Sequence, residues 1–174
     1  MLLEAMILSF GGQGGVTAAR VLAICAVKEG KYAQAIPHFG AERRGALVRS
    51  FLRISDKPIR RHSLIKNPDV IIVFSEKILE MMEVSADTII INSREPKIKG
   101  AYYVDASTIA LNLNLISAGW PIVNTAMAGA TAKALGFSLT SLKQAINDVF
   151  SGKLAELNIK AAEIAYKEVK RWNA

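Results

Sequence analysis

With 174 residues, of which 51% are hydrophobic, the chain can build one substantial core, so we expect a single domain over residues 1–174. Its one cysteine, Cys25, excludes an internal disulfide and any four-thiolate zinc or iron–sulfur cluster built by this chain alone. The formal net charge of +7 predicts a surface that attracts anions. No signal-peptide pattern and no apolar run of about 20 residues is present, which predicts a cytoplasmic protein without a membrane-spanning helix.

The N-terminal third predicts a strand, a glycine loop, a helix and two further strands. The run LLEAMILSF is typical of a short strand, and VTAARVLAICAVKEG predicts a helix that ends with Gly30 in the usual C-cap position. KYAQAIPHF then predicts an extended segment, which Pro37 stops or confines to a sheet edge. ALVRSFLRIS alternates in polarity and predicts a half-buried strand, with Arg53 on one face and Leu52 on the other.

Buried strands alternate with helices in the remainder of the chain. DVIIVFS and DTIIINS are continuous β-branched runs typical of strands covered on both faces, and AYYVDAS predicts a further short strand. We expect helices at 76–82, 107–118, from Asn124 or Thr125 onward, at 140–150, and in a last stretch whose apolar stripe runs from Leu154 to Trp172. This alternation predicts an α/β fold, a three-layer and Rossmann-like sandwich around a mostly parallel sheet.

Four glycines occupy the five positions from Gly11 to Gly15, between the first strand and the first helix. At such a junction, N–H groups and the helix dipole attract an anion, and glycine lets the anion approach the backbone. A nucleotide P-loop is excluded, because its last glycine must be followed by Lys and then Ser or Thr, whereas Gly15 is followed by Val16 and Thr17. A dinucleotide fingerprint would begin at Ser9 and lacks the acidic residue about 20 positions on, so a phosphate-bearing ligand other than NAD(P) is favoured. The alternative is that these glycines only form a tight turn that packs helix on strand.

Positive charge is concentrated in residues 43–62. Arg43 and Arg44 stand in a glycine-flanked loop before a predicted strand, and loops at strand ends line the ligand crevice of open α/β sheets. The planar guanidinium holds phosphate oxygens better than an ammonium does. We therefore expect these two arginines to cooperate with the glycine loop, whereas Arg60 and Arg61 are expected to be solvated.

Four segments carry a resemblance to a known family. FGGQGGVTAARVLA, PHFGAERRGALVRSFLRISDKPIRRHSLIKNPDVIIVF, PIVNTAMAGATAKALG and LNIKAAEIAY occur in this order over nearly the whole chain. The sequence thereby resembles the gamma subunit of pyruvate and other 2-oxoacid:ferredoxin (flavodoxin) oxidoreductases. The resemblance implies a gamma-type domain of an enzyme that decarboxylates a 2-oxoacid oxidatively, with pyruvate the default substrate, and yields acyl-coenzyme A.

The resemblance also implies what this chain contributes. Alpha, beta and delta-type subunits and, through the complex, ferredoxin are the implied partners. Thiamine diphosphate, Mg and the iron–sulfur clusters are implied to lie on those partner subunits, so this chain is expected to hold no catalytic residue and no metal ligand. Its implied share is assembly and the binding of coenzyme A. The expected coenzyme A-binding residues are Gly11, Gly12, Gln13, Gly14, Gly15, Thr17, Arg43 and Arg44.

Two alternative functions stay open at this stage. The basic segment suits a nucleic-acid-binding protein, although neither interleaved aromatic residues nor a known binding motif accompanies it. The glycine loop leaves room for a free-standing NAD(P)-dependent oxidoreductase. Asn124 and Thr125 are expected to cap a helix, and Cys25 is expected to be a packing residue. The isolated chain is a possible homodimer.

Overall fold

The computed structural model describes residues 1–37 and 45–173. The strands of the described part are β1 (Leu2–Phe10), β2 (Tyr32–Pro37), β3 (Leu47–Ser55), β4 (Val70–Val73), β5 (Thr88–Asn92), β6 (Tyr102–Val104), β7 (Ile116–Ser117), β8 (Trp120–Pro121) and β9 (Lys170–Arg171). The helices are α1 (Gly15–Lys28), α2 (Lys77–Met81), α3 (Ala106–Asn112), α4 (Asn124–Ala134), α5 (Leu139–Val149) and α6 (Gly152–Glu168).

The main sheet has seven strands in the order β2-β3-β1-β4-β5-β6-β9. β1, β4, β5 and β6 are parallel to one another, with Ile7 opposite Ile72 and Ile72 opposite Ile90. β3 runs antiparallel to both β1 and β2, and β9 runs antiparallel to β6, so that five of the seven strands share one direction. This architecture confirms the expected α/β fold with a mostly parallel sheet.

The two faces of the sheet are covered unequally. On one face, α1, α3, α4, α5 and α6 bury a large core that includes Ile7, Leu22 and Ile90. On the other face, Leu8 and Ile91 pack against Ile78 of the short helix α2 and against residues near 98–101. Strand alternation explains this division, since neighbouring residues of one strand point to opposite faces. In the described part of the chain, no helix has the length and hydropathy needed to cross a membrane.

The predicted half-burial of β3 is wrong. The strand is buried on both faces from Ser50 to Ser55, and the Arg53 side chain has no exposed surface. Its guanidinium forms an ion pair with Glu4 at 3.0 Å from Nε to Oε1, and it donates to the carbonyl oxygens of Arg61 and Ser63. The segment after β3 therefore folds back over the face that alternation alone leaves open.

The predicted helix over 107–118 ends six residues early, at Asn112. Asn114 adopts the left-handed conformation, with φ 56°, and the Leu115 and Asn114 N–H groups donate to Ala110 and Leu111 O at 2.8 and 3.1 Å. This is the Schellman arrangement that terminates helices. The chain then forms the β7–β8 hairpin. Trp172 also lies outside the last helix, because α6 ends at Glu168.

Candidate functional site

A cavity of about 820 Å³ lies at the carboxyl ends of four parallel strands. It is lined by residues that end or follow β1, β4, β5 and β6, by Gly45 ahead of β3, and by the β7–β8 hairpin. These are Phe10, Gly11, Gly12, Gln13, Gly45, Phe74, Ser75, Glu76, Lys77, Asn92, Ser93, Arg94, Asp105, Ser107, Ser117, Trp120 and Pro121. Both the size and the position are typical of ligand sites in open α/β sheets.

Part of the glycine loop forms one wall of this cavity. Gly11, Gly12 and Gln13 line it, whereas Gly14, Gly15 and Thr17 do not. The loop is fixed by its own hydrogen bonds: Gly11 N–H donates to Ala46 O at 2.9 Å, and Gln13 Oε1 accepts from Phe10 N–H at 2.7 Å. The positive φ of Gly12, 90°, explains the need for glycine at this cavity-facing position.

Several amide groups of the loop keep their capacity to bind an anion. Gly11 and Gln13 N–H are used internally, the latter by Phe10 O at 3.0 Å. Within the described residues, the N–H groups of Gly12 and of the stretch 14–17 have no hydrogen-bond acceptor. The free amides at the start of α1 are those that any helix leaves unpaired, and the helix dipole adds positive potential there. The loop therefore offers an anion fewer donors than its five positions suggest.

Gly14 and Gly15 are required by packing. A Cβ on Gly14 would lie 2.7 Å from Asn124 Nδ2, and the φ of Gly14 is 83°, a conformation that other residues rarely adopt. A Cβ on Gly15 would lie 2.5 Å from Ser9 Oγ. These two positions fit the alternative interpretation, in which glycine lets the helix approach the strand. A bulky substitution at either position therefore perturbs folding and does not isolate ligand binding.

Asn92 forms the floor of the cavity and is a residue that the sequence reasoning missed. Its Nδ2 group donates to Phe74 O and Ser107 Oγ, both at 2.9 Å, and its Oδ1 accepts from Ala106 N–H at 2.9 Å. The side chain is only 6% exposed, so all of these contacts replace bonds to water. Asn92 thus fixes the ends of β4 and β5 to the start of α3. The sequence signal that could have identified Asn92 is its place directly after the apolar residues of the run DTIII, where the end of a buried strand is expected.

Charged side chains around the cavity differ in how far they are neutralised. Glu76 pairs with Lys97 at 3.2 Å, and Arg94 pairs with Asp105 at 3.2 Å. Lys77 is exposed, lines the cavity and forms no ion pair within the part of the chain that the structure describes. Lys77 is therefore the cavity-lining cation for which the described residues supply no ion-pair partner.

The predicted arginine pair belongs to the stretch between the two described ranges. Arg43 and Arg44 lie outside the described residues, as does His38. The residue that follows them, Gly45, lines the cavity, and its N–H donates to Gly11 O at 3.5 Å. The contribution of the two arginines stays a prediction.

Asn124 and Thr125 do not cap α4 as expected. Val123 occupies the N-cap position, and no side chain in the described part of the chain caps the helix. Asn124 Oδ1 accepts from Thr125 N–H at 2.8 Å, and the Thr125 hydroxyl donates to Asn158 Oδ1 at 2.7 Å. Both residues are buried, so the Thr125–Asn158 bond joins α4 to α6 in the core. This hydrogen bond gives Thr125 and Asn158 a role in stabilising the packing of α4 against α6.

Cys25 is a packing residue, as the sequence indicated. It is fully buried in α1, and burial, reinforced by the Glu29 carboxylate, raises the pKa of its thiol to about 12. Because the thiolate is the reactive form, this thiol is inert at neutral pH.

Comparison with known proteins tests the family resemblance. The family model described as pyruvate ferredoxin/flavodoxin oxidoreductase matches residues 4–168. The chain is 45% identical to the pyruvate/ketoisovalerate oxidoreductases common subunit gamma of Pyrococcus furiosus, over 91% of this chain and 92% of that protein. It superposes on the crystal structure of pyruvate oxidoreductase subunit PORC from Thermotoga maritima with a TM-score of 0.78 and 31% identity, over 98% of each chain.

A more distant likeness supports the fold. The 2-oxoglutarate:ferredoxin oxidoreductase of Magnetococcus marinus, solved with 2-oxoglutarate, coenzyme A and succinyl-CoA bound, matches with a TM-score of 0.74 and 18% identity. That match covers 98% of this chain and 32% of the longer one. The expected resemblance is therefore confirmed, and the chain belongs to the pyruvate ferredoxin/flavodoxin oxidoreductase family.

Proposed function

We propose that this chain is the gamma subunit of a 2-oxoacid:ferredoxin oxidoreductase complex, with pyruvate as the first substrate to test. In that complex it contributes to assembly and to the binding of coenzyme A during oxidative decarboxylation of the 2-oxoacid to acyl-coenzyme A. The gamma and PORC subunits that it resembles over more than nine-tenths of their length support this assignment.

The observation that carries the coenzyme A assignment is the cavity at the strand ends. It is lined by Gly12, whose N–H has no acceptor among the described residues, and by Lys77, whose side chain is exposed. Both favour an anionic ligand, and coenzyme A carries a pyrophosphate and a 3′-phosphate. The presence of coenzyme A in the Magnetococcus marinus enzyme, whose fold includes this domain, adds support.

Partner subunits supply the remaining chemistry in this proposal. With one cysteine, buried in α1, this chain cannot hold a cysteine-ligated cluster by itself, so we assign thiamine diphosphate, Mg and the iron–sulfur clusters to alpha, beta and delta-type subunits. Electrons then pass through those clusters to ferredoxin. This chain's own contribution is to hold the phosphates of coenzyme A, so that the coenzyme A thiol reaches the acyl group on a partner subunit.

The test removes the predicted arginine pair from the assembled complex. A charge-assisted hydrogen bond contributes about 1.5–3 kcal/mol, so Arg43→Ala with Arg44→Ala should raise the KM for coenzyme A roughly tenfold or more. Reduction of the clusters by the 2-oxoacid in the absence of coenzyme A should be unchanged. The measurement is steady-state kinetics at varied coenzyme A, with the partial reaction followed by absorbance.

A matched control removes two positive charges from a different part of the chain. Lys57→Ala with Arg60→Ala removes the same number of positive charges, here from two exposed side chains that do not line the cavity. This control should leave the KM for coenzyme A near that of the unmodified complex. Equal increases in KM for both double variants would show that only the net charge of the chain matters. An unchanged KM in the variant with Arg43→Ala and Arg44→Ala would refute the assignment of these arginines to the coenzyme A site.

A further inference from the structure

Trp120 is the most exposed large aromatic side chain at the cavity. It is 67% exposed although its residue lines the cavity together with Ser117, which stands directly opposite it in the β7–β8 hairpin. Residues opposite each other in an antiparallel pair present their side chains on the same face. The hairpin therefore directs one apolar ring and one hydroxyl group to the cavity.

The backbone that carries Trp120 is held at both ends. Ile122 N–H donates to Leu115 O at 2.8 Å. Leu115, which precedes β7, is 4% exposed, and Val123, which follows the hairpin, is 0% exposed. The two-residue turn has positive φ at both central positions, 49° at Ala118 and 81° at Gly119. This is the pattern of the tight hairpin turns that match strand twist. Trp120 is thus presented by a short, anchored hairpin.

The cavity combines this ring with groups suited to an anion. Among the described residues, the N–H group of cavity-lining Gly12 has no acceptor and cavity-lining Lys77 has no ion-pair partner. A ligand that satisfies both features has a negatively charged group and a flat ring, which is the chemistry of a nucleotide. Tryptophan stacks well on purines because both have extended π-faces.

We infer that Trp120 is the stacking platform for the purine ring of the nucleotide end of coenzyme A. This inference rests on the function proposed above and extends it to a named ring contact. In the proposed complex the acyl group is formed on a partner subunit, so the thiol end must leave this chain. The nucleotide end is then the end that stays in the cavity, against Trp120.

The competing use of this hairpin is contact with another subunit. Ile116, 40% exposed on the same hairpin, and Leu111, 48% exposed on α3, are apolar as well, but neither lines the cavity. Trp120 differs from them in facing the same space as the glycine loop. That difference favours the ligand, and it supplies a control residue on the same hairpin.

The experiment compares three variants of the assembled complex with two acyl acceptors. Base stacking on an aromatic side chain accounts for about 5- to 150-fold in binding, so Trp120→Ala should raise the KM for coenzyme A by that factor, with kcat retained. Trp120→Phe keeps a ring and should stay within about threefold of the unmodified complex. Ile116→Ala should behave like the unmodified complex. With pantetheine, which lacks the purine, Trp120→Ala should change nothing.

The outcomes separate this inference from the function on which it rests. An unchanged KM for coenzyme A in Trp120→Ala, with a raised KM in the Arg43/Arg44 double variant, overturns the stacking role alone. If neither variant changes the KM, the stacking role falls together with the binding of coenzyme A in this cavity. A loss of complex on gel filtration in both Trp120→Ala and Ile116→Ala would make the hairpin a subunit contact and overturn stacking. An equal effect with coenzyme A and pantetheine would overturn it too.

Discussion

Arg53 shows how one buried cation organises an edge of the sheet. Besides the ion pair with Glu4, its Nη1 donates to Gln34 Oε1 at 3.2 Å, so the side chain connects β3 to both neighbouring strands. Arg53→Met should lower the free energy of unfolding by about 3–5 kcal/mol, because it leaves Glu4 and two carbonyl oxygens without their buried partner. Urea denaturation monitored by circular dichroism measures this loss.

The control for Arg53 uses the same carboxylate. Arg61 also pairs with Glu4, at 3.3 Å, but its side chain is 56% exposed. Water replaces such a contact readily, so Arg61→Ala should cost no more than about 1 kcal/mol. A similar loss in both variants would contradict a special role for the buried guanidinium.

At the scale of elements, the contact between α4 and α6 depends on Gly129. A Cβ at this position would lie 2.1 Å from the carbonyl oxygen of Ala162, a backbone atom of α6. Helix propensity alone predicts that Gly129→Ala stabilises the protein by about 1 kcal/mol. Overpacking costs typically about 1–3 kcal/mol, and because a backbone cannot rotate away as a side chain does, we expect a net loss of stability. Thermal unfolding of the variant decides the sign.

A second substitution in α4 provides a reference for the change in stability caused by Gly129→Ala. Lys133 is exposed in the last turn of the same helix, and its Nζ lies 5.2 Å from the centre of the Tyr166 ring of α6. Lys133→Ala therefore changes helix propensity and removes a cation–π contact of about 0.5–1 kcal/mol, but it leaves the close backbone approach at Gly129 unchanged. It should shift the melting temperature by only a small amount. A Gly129→Ala protein more stable than this reference would show that the two helices separate at little cost.

At the scale of the whole molecule, sequence patterns predicted those strands and helix ends that depend only on residues near them in the chain. The runs at β4 and β5 are buried on both faces, as their unbroken β-branched residues indicated, and Gly30 ends α1 as expected. The β7–β8 hairpin was missed because α3 ends at Asn112 and the left-handed residue that follows it is Asn114, so that no glycine or proline marks the end of the helix. Apolar residues on both sides of that position fit a continuing helix equally well.

The candidate site was predictable only in part, for a related reason. The glycine loop is continuous in sequence, and three of its predicted residues do line the cavity. Asn92, Lys77 and Trp120 come from three other segments, and they meet only because parallel strands bring their carboxyl ends to one edge. Likewise, the burial of Arg53 depends on a segment that folds over the strand from later in the chain. Such long-range coverage leaves no periodic signal in the strand itself.

The single-domain expectation leads to a prediction about unfolding. The two cores share the same strands: Ile7 belongs to one and the adjacent Leu8 to the other. Loss of either layer therefore exposes strands that the other layer needs, which favours one cooperative transition. For 174 residues the unfolding enthalpy near 60 °C should be about 120 kcal/mol. In scanning calorimetry of the isolated chain, at several concentrations to detect self-association, the calorimetric and van't Hoff enthalpies should agree. Two separable transitions would show instead that the thin layer around Ile78 unfolds independently of the five-helix layer.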